Sequence, residues 1–234
     1  MPNPGTLDHI LALILGGAMP FLVAWGYRRF LREVAAGIPD ARIREYRQTI
    51  ALQWTITLVL VVAWFLAGRG LDALGFTVRG GWPLAVGAGV TVAGLVLLTG
   101  QWRAVRRAEG EELKKLRKQM EFVAPMLPRT EREAATFRAL SVTAGICEEV
   151  LYRGYLIWYL AGFVGAWPAA VGAGILFGLL HFYQGPSGTL QTGALGVSMA
   201  LLYVASGSLL WPMILHAAVD LNGGAVARRT LTAK

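Results

Sequence analysis

Long uncharged apolar runs dominate the chain. Residues 10–27, 50–67 and 82–100 each continue for roughly eighteen positions or more without a charge, the length a helix needs to cross a bilayer. Hydrophobic stretches over 9–27, 49–67, 82–102, 137–162, 167–183, 190–206 and 208–227 predict seven membrane helices. The predicted fold class is therefore all-α, a polytopic transmembrane helical bundle of about seven spans. Residues 1–136 would supply N-terminal transmembrane helices and a charged segment, and 137–227 a helical core, in one integrated membrane domain. A cleaved leader fits the first run poorly, because residues 1–9 contain no Lys or Arg.

Charge sharpens this picture. Hydrophobic residues make up 55% of the chain and charged ones only 15%, well below the quarter usual in soluble domains. The net charge of +8 raises a nucleic-acid reading, but the 22 basic residues fall between the apolar runs. Residues 28–47 hold six of them, 69–79 two, 103–138 ten, and Arg228, Arg229 and Lys234 close the chain; Arg153 alone lies inside an apolar segment. Alternating spans put every heavily basic stretch on one side. By the positive-inside rule the topology is N-out and C-in, in an integral membrane protein expected in a prokaryotic plasma membrane. The expected partner is the lipid bilayer rather than nucleic acid.

Within 103–136, Glu111 and Lys115 at i,i+4 spacing favour a helix. Leu113, Leu116, Met120 and Phe122 give it a modest apolar stripe, so it is either a solvated connector or an interfacial helix. Pro125 and Pro128 end it before the fourth span. Residues 184–188, with Pro186, predict a turn. The single cysteine, Cys147, excludes an internal disulfide framework.

Candidate chemistry sits in the second half. Of 14 acidic residues, Glu148, Glu149 and Asp220 lie within apolar helices. His181, His216 and Arg153 join them. A charge at the bilayer centre costs roughly 2.5–3.5 kcal/mol on insertion scales, so six such groups must face one another or a watered cavity. Glu149 and Arg153, four apart, can pair directly. Glu148 then points about 100° away. His216 precedes Asp220 by four, which lets that carboxylate orient the imidazole. Glu148 and His181 are left without a structural partner. Such a pair can take a proton from water, and His216 with Asp220 can polarise a carbonyl or hold its oxyanion.

The segments Glu148-Glu149-Val150-Leu151-Tyr152-Arg153 (EExxxR), Phe177 to His181 (FxxxH) and His216 to Asp220 (HxxxD) appear in that order, each on its own apolar helix. Together they resemble the CPBP family of intramembrane proteases, which includes the type II CAAX prenyl endopeptidases. The likeness covers roughly residues 137–227. It implies an endopeptidase acting within or near the membrane on a peptide or protein substrate. Glu148 and His181 would activate water, Glu149 would pair with Arg153 to hold the helix, and Phe177 would support the imidazole. His216 and the residue four beyond it would form the oxyanion site. Asp220 stands where the prenyl endopeptidases typically carry Asn. An ionised Asp donates no hydrogen bond, so its expected role is to orient His216.

Glutamate-activated water with no cofactor is the expected chemistry. Zinc or another divalent metal on Glu148, His181 and His216 is the alternative, since one carboxylate and two imidazoles leave an open position. A non-catalytic membrane protein of immunity or scaffold type, or a proton-coupled transporter using the same buried acids, is the rival reading of function.

Overall fold

The computed structural model describes residues 4–121 and 123–232; Phe122 and Lys234 lie outside the described residues. Among the described residues the chain is all helix and turn, with no strand. All seven predicted segments are helical. Helix α1 (Thr6–Ala35) contains a π turn at Ile14–Ala18. It is followed by α2 (Ala41–Leu66), α3 (Trp82–Arg107) and the charged α4 (Gly110–Met120). Helix α5 (Glu131–Glu148) runs on through a π-helical stretch, Glu149–Leu156, into α6 (Ile157–Val164). Then come α7 (Ala166–Leu180), α8 (Gly185–Ser206) and α9 (Leu210–Thr232).

Among the described residues four stretches are long and apolar enough to cross a membrane: α1, α2, α3 and Phe182–Ser206, which contains α8. The shorter α7 is apolar throughout. Helices α5 and α9 carry Glu148, His216 and Asp220, whose polarity dilutes their hydropathy. Leu97 on α3 is 73% exposed, Phe21 on α1 71% and Leu190 on α8 75%. Outward apolar surface on this scale belongs to a bundle immersed in lipid.

The two ends of the bundle differ in chemistry. At one end the basic segments meet. Arg42 donates to the carbonyl of Pro125 and faces Glu133, Arg132 pairs with Asp40, and Arg228 pairs with Glu131. The α4 helix docks here rather than standing free: Leu113 is buried and Arg117 donates to the carbonyl of Thr230. Its Glu111 pairs with Lys114 instead of Lys115, one residue short of the expected spacing. Thr130 and Glu133 cap the start of α5 reciprocally. At the other end Arg69 forks onto Asp8 at 2.8 and 2.6 Å and stacks on the rings of Trp64 and Trp158. Tyr155 and Tyr152 donate to backbone carbonyls of Asp8 and Leu15, which fastens α1 to the π-helical stretch.

The turn predicted at 184–188 lies slightly earlier, at Phe182–Gln184, because Gly185 at φ +78° and Pro186 already open α8. Helices α7 and α8 then pack backbone to backbone. A Cβ at Gly178 would come within 2.6 Å of the Cα of Gly193. Small residues allow this approach in lipid, where no hydrophobic force draws helices together.

Candidate active site

The site begins with a close crossing of α5 and α9. Gly145 faces Ala217 so tightly that a Cβ on the glycine would lie 2.9 Å from the alanine backbone nitrogen. The residue before Ala217 is His216, and one turn beyond Gly145 come Glu148 and Glu149. The crossing therefore delivers an imidazole to two carboxylates. The backbone changes to π-helical hydrogen bonding at Glu149, a rare feature that is frequent at functional sites.

His216 lies between the two glutamates. Its Nδ1 is 2.6 Å from Oε1 of Glu149, and its Nε2 is 3.9 Å from Oε2 of Glu148. Asp220, one turn further along α9, places Oδ2 3.7 Å from the same Nε2. That distance is too long for a hydrogen bond. The carboxylate that hydrogen-bonds His216 is thus Glu149, and not Asp220 as the i,i+4 spacing on α9 had led us to expect. Local spacing favoured Asp220, but tertiary approach supplied a nearer partner.

Glu149 also meets Arg153, with Oε1 3.0 Å from Nη1, so this expected contact is present. Arg153 donates from Nη2 to the carbonyl of Gly196 on α8 and lies 4.4 Å over the ring of Phe177. Glu149, Arg153, His216 and Phe177 are all buried. They form the floor of the site.

Phe177 on α7 links the two imidazoles. Its ring centroid is 4.8 Å from that of His181 and 5.9 Å, edge-on, from that of His216. His181 itself ends α7, where the sequence had placed it inside a span. Its Nδ1 lies 2.9 Å from the carbonyl oxygen of Phe177 one turn back, which satisfies a helix-end acceptor and leaves Nε2 as the free ring nitrogen. His181, Glu148 and Asp220 are half-buried, above the sealed floor.

Sequence reasoning missed Gln53. From α2 it donates Nε2–H to Oε1 of Glu148 at 2.6 Å. It is uncharged and sits in an otherwise apolar run, so a search for ionisable groups passed over it. The signal available was an amide in the middle of a span, where burying a polar group without a partner is costly. Asn222, close behind Asp220, turns away and donates to Gln101 on α3. Tyr152 and Tyr155, on either side of Arg153, serve the packing of α1 described above.

Among the described residues no group of three or more His, Cys, Asp or Glu side chains is placed to hold a metal ion. The Nδ1 atoms of His216 and His181 are held by Glu149 and by the Phe177 carbonyl, so each ring offers its Nε2. Glu148, half-buried beside the imidazole of His216, is suited to activating water.

Residues 130–222 match the family described as type II CAAX prenyl endopeptidase, Rce1-like. The resemblance drawn from the three motifs is borne out over that region. No curated protein and no solved structure matches the chain.

Proposed function

Starting from the match of residues 130–222 to a family of membrane endopeptidases, we propose that this integral membrane protein hydrolyses a peptide bond of a membrane-associated peptide or of a membrane protein's tail. The observation that carries the reading is the convergence of Glu148 from α5 and His216 from α9, 3.9 Å apart. Apolar helices surround them, and His181 reaches the same Phe177 ring from α7.

In the proposed reaction Glu148, assisted by Nε2 of His181, takes a proton from water. The resulting hydroxide attacks the peptide carbonyl carbon. Charge develops on the carbonyl oxygen, and His216, carrying a proton on each ring nitrogen, donates its Nε2–H to it. Collapse of the tetrahedral species breaks the C–N bond, and the proton held by Glu148 passes to the leaving amine. Glu149 holds Nδ1 of His216 and so directs Nε2 towards the substrate. No metal enters these steps. Activity is accordingly expected to survive exhaustive chelation, and a stoichiometric metal required for turnover would replace this scheme. The basic end of the bundle is assigned to the cytoplasm, giving N-out and C-in, with a prokaryotic plasma membrane as the proposed location.

Purified protein incubated with membrane-associated peptides and read by mass spectrometry tests the proposal. Wild type should give a discrete pair of fragments. Glu148→Gln, which removes the base and little volume, should give none while keeping the same melting temperature. Equal cleavage by both proteins, or none by either, overturns it.

A further inference from the structure

We infer that Gln53 is a positioning residue for Glu148, supplied by the N-terminal helices from outside the family-matched region. The inference rests on the hydrolase reading above. The amide donates to Oε1 of Glu148 at 2.6 Å. With Oε1 held, Oε2 is the oxygen left facing Nε2 of His216. A glutamate side chain has three rotatable bonds, and in a recess between helices it would otherwise sample several directions. The hydrogen bond selects the one in which a single oxygen addresses the reaction space.

The amide is itself held in register. Helices α2 and α5 run side by side, tied by Arg42 with Glu133, by the edge-on rings of Tyr46 and Phe137, and by Trp54, whose indole N–H donates to Thr143. Among the described residues on this face, Gln53 is the one that reaches an acid of the site. A packing role accounts poorly for an amide here. Its Oε1 is buried with no hydrogen-bond partner among the described residues, a cost that methionine of nearly the same shape would avoid. The donor end, and the carboxylate it touches, explain why an amide stands at this position. Helix α2 thereby completes a site whose motifs all lie in residues 130–222.

The test uses the full chain in detergent, with Gln53→Met to remove the donor and Trp54→Phe as a control for α2–α5 packing. Gln53→Met should lower kcat roughly 10- to 100-fold, the loss of one hydrogen bond to a charged group, with KM within about twofold. Trp54→Phe should leave kcat within about twofold, even where its melting temperature falls. An unchanged kcat in Gln53→Met, or equal losses in both variants, overturns the inference. A second readout needs no turnover. Methionine fills the same space but takes the donor away from Oε1, so labelling of Glu148 by an apolar carbodiimide, followed by peptide mass, should speed up roughly 10-fold in Gln53→Met and not in Trp54→Phe. An unchanged labelling rate refutes the positioning role. Faster labelling in a protein that cleaves no peptide supports the placement of Gln53 and sinks the peptidase reading alone.

Discussion

Oε1 of Glu149 meets Nδ1 of His216 at 2.6 Å and Nη1 of Arg153 at 3.0 Å, so one carboxylate oxygen joins an imidazole on α9 to a guanidinium on its own helix. The other oxygen, Oε2, is buried with no hydrogen-bond partner among the described residues. Glu149 is therefore both the counter-charge of Arg153 and the group that holds the proton on Nδ1 of His216. Because the carboxylate accepts, Nδ1 donates, and Nε2 is the nitrogen that Glu149 leaves open.

Glu149→Gln keeps the volume and an accepting oxygen but removes the charge shared by the two partners. The expected result is a fall in kcat of roughly 10- to 100-fold with little change in KM, since in the proposed reaction the group acts only through His216. Steady-state kinetics on a cleaved peptide measure it. A change confined to KM would show that Glu149 contributes to binding and not to the orientation of His216.

Arg153→Ala leaves Glu149 charged at a place with no solvent exposure and removes the cation over Phe177. Breaking one partner of a buried pair costs about 3–5 kcal/mol. The variant should show a sharply reduced folded yield and a lower melting temperature in detergent. Arg153→Lys should recover little of this, because an ammonium cannot reach the Gly196 carbonyl and Glu149 with the same planar fork. Wild-type yield and melting temperature for Arg153→Ala would show the pair to be dispensable.

Asp220 lies 3.7 Å from Nε2 of His216, and its side chain is 36% exposed. It does not hold the imidazole, so its charge is not needed for orientation. Asp220→Asn should keep kcat within about threefold, and the new amide can donate to the carbonyl oxygen as charge develops there. A loss beyond about tenfold would show that the negative charge itself takes part.

The helices and the ionisable residues of the site were legible in the sequence because lipid makes both conspicuous. A span must be apolar for about twenty residues, so Glu148, Glu149, Arg153, His181, His216 and Asp220 stand out against it. The Glu149–Arg153 contact followed from spacing on one helix. The partner of His216 could not follow from spacing, since it depends on the Gly145–Ala217 approach and on π-helical backbone beginning at Glu149. His181 was placed inside a span because nothing in its neighbours showed that α7 stops at Leu180. Gln53 escaped because it is neutral, and its pairing with Glu148 joins positions 95 residues apart.

The same dependence on approach makes Gly145 a test of how the site is assembled. A Cβ there would lie 2.8 Å from the Cβ of Ala217 and 2.9 Å from its backbone nitrogen, and neither atom belongs to a flexible side chain that can swing aside. Gly145→Val must therefore push α9 away from α5. The residue next to Ala217 is His216, whose 2.6 Å bond to Glu149 tolerates little displacement. Overpacking of this kind typically costs about 1–3 kcal/mol, which is modest for stability. A misplacement of about 1 Å at a reacting group can cost roughly 100-fold in rate. The expected outcome is a protein that inserts, purifies and melts within several degrees of wild type, yet cleaves peptide roughly 100-fold more slowly. Ala217→Gly in the same chain removes the alanine Cβ but not the backbone nitrogen, so it should restore activity only in part. Full activity in Gly145→Val would show that the approach of α5 to α9 does not set the geometry of His216.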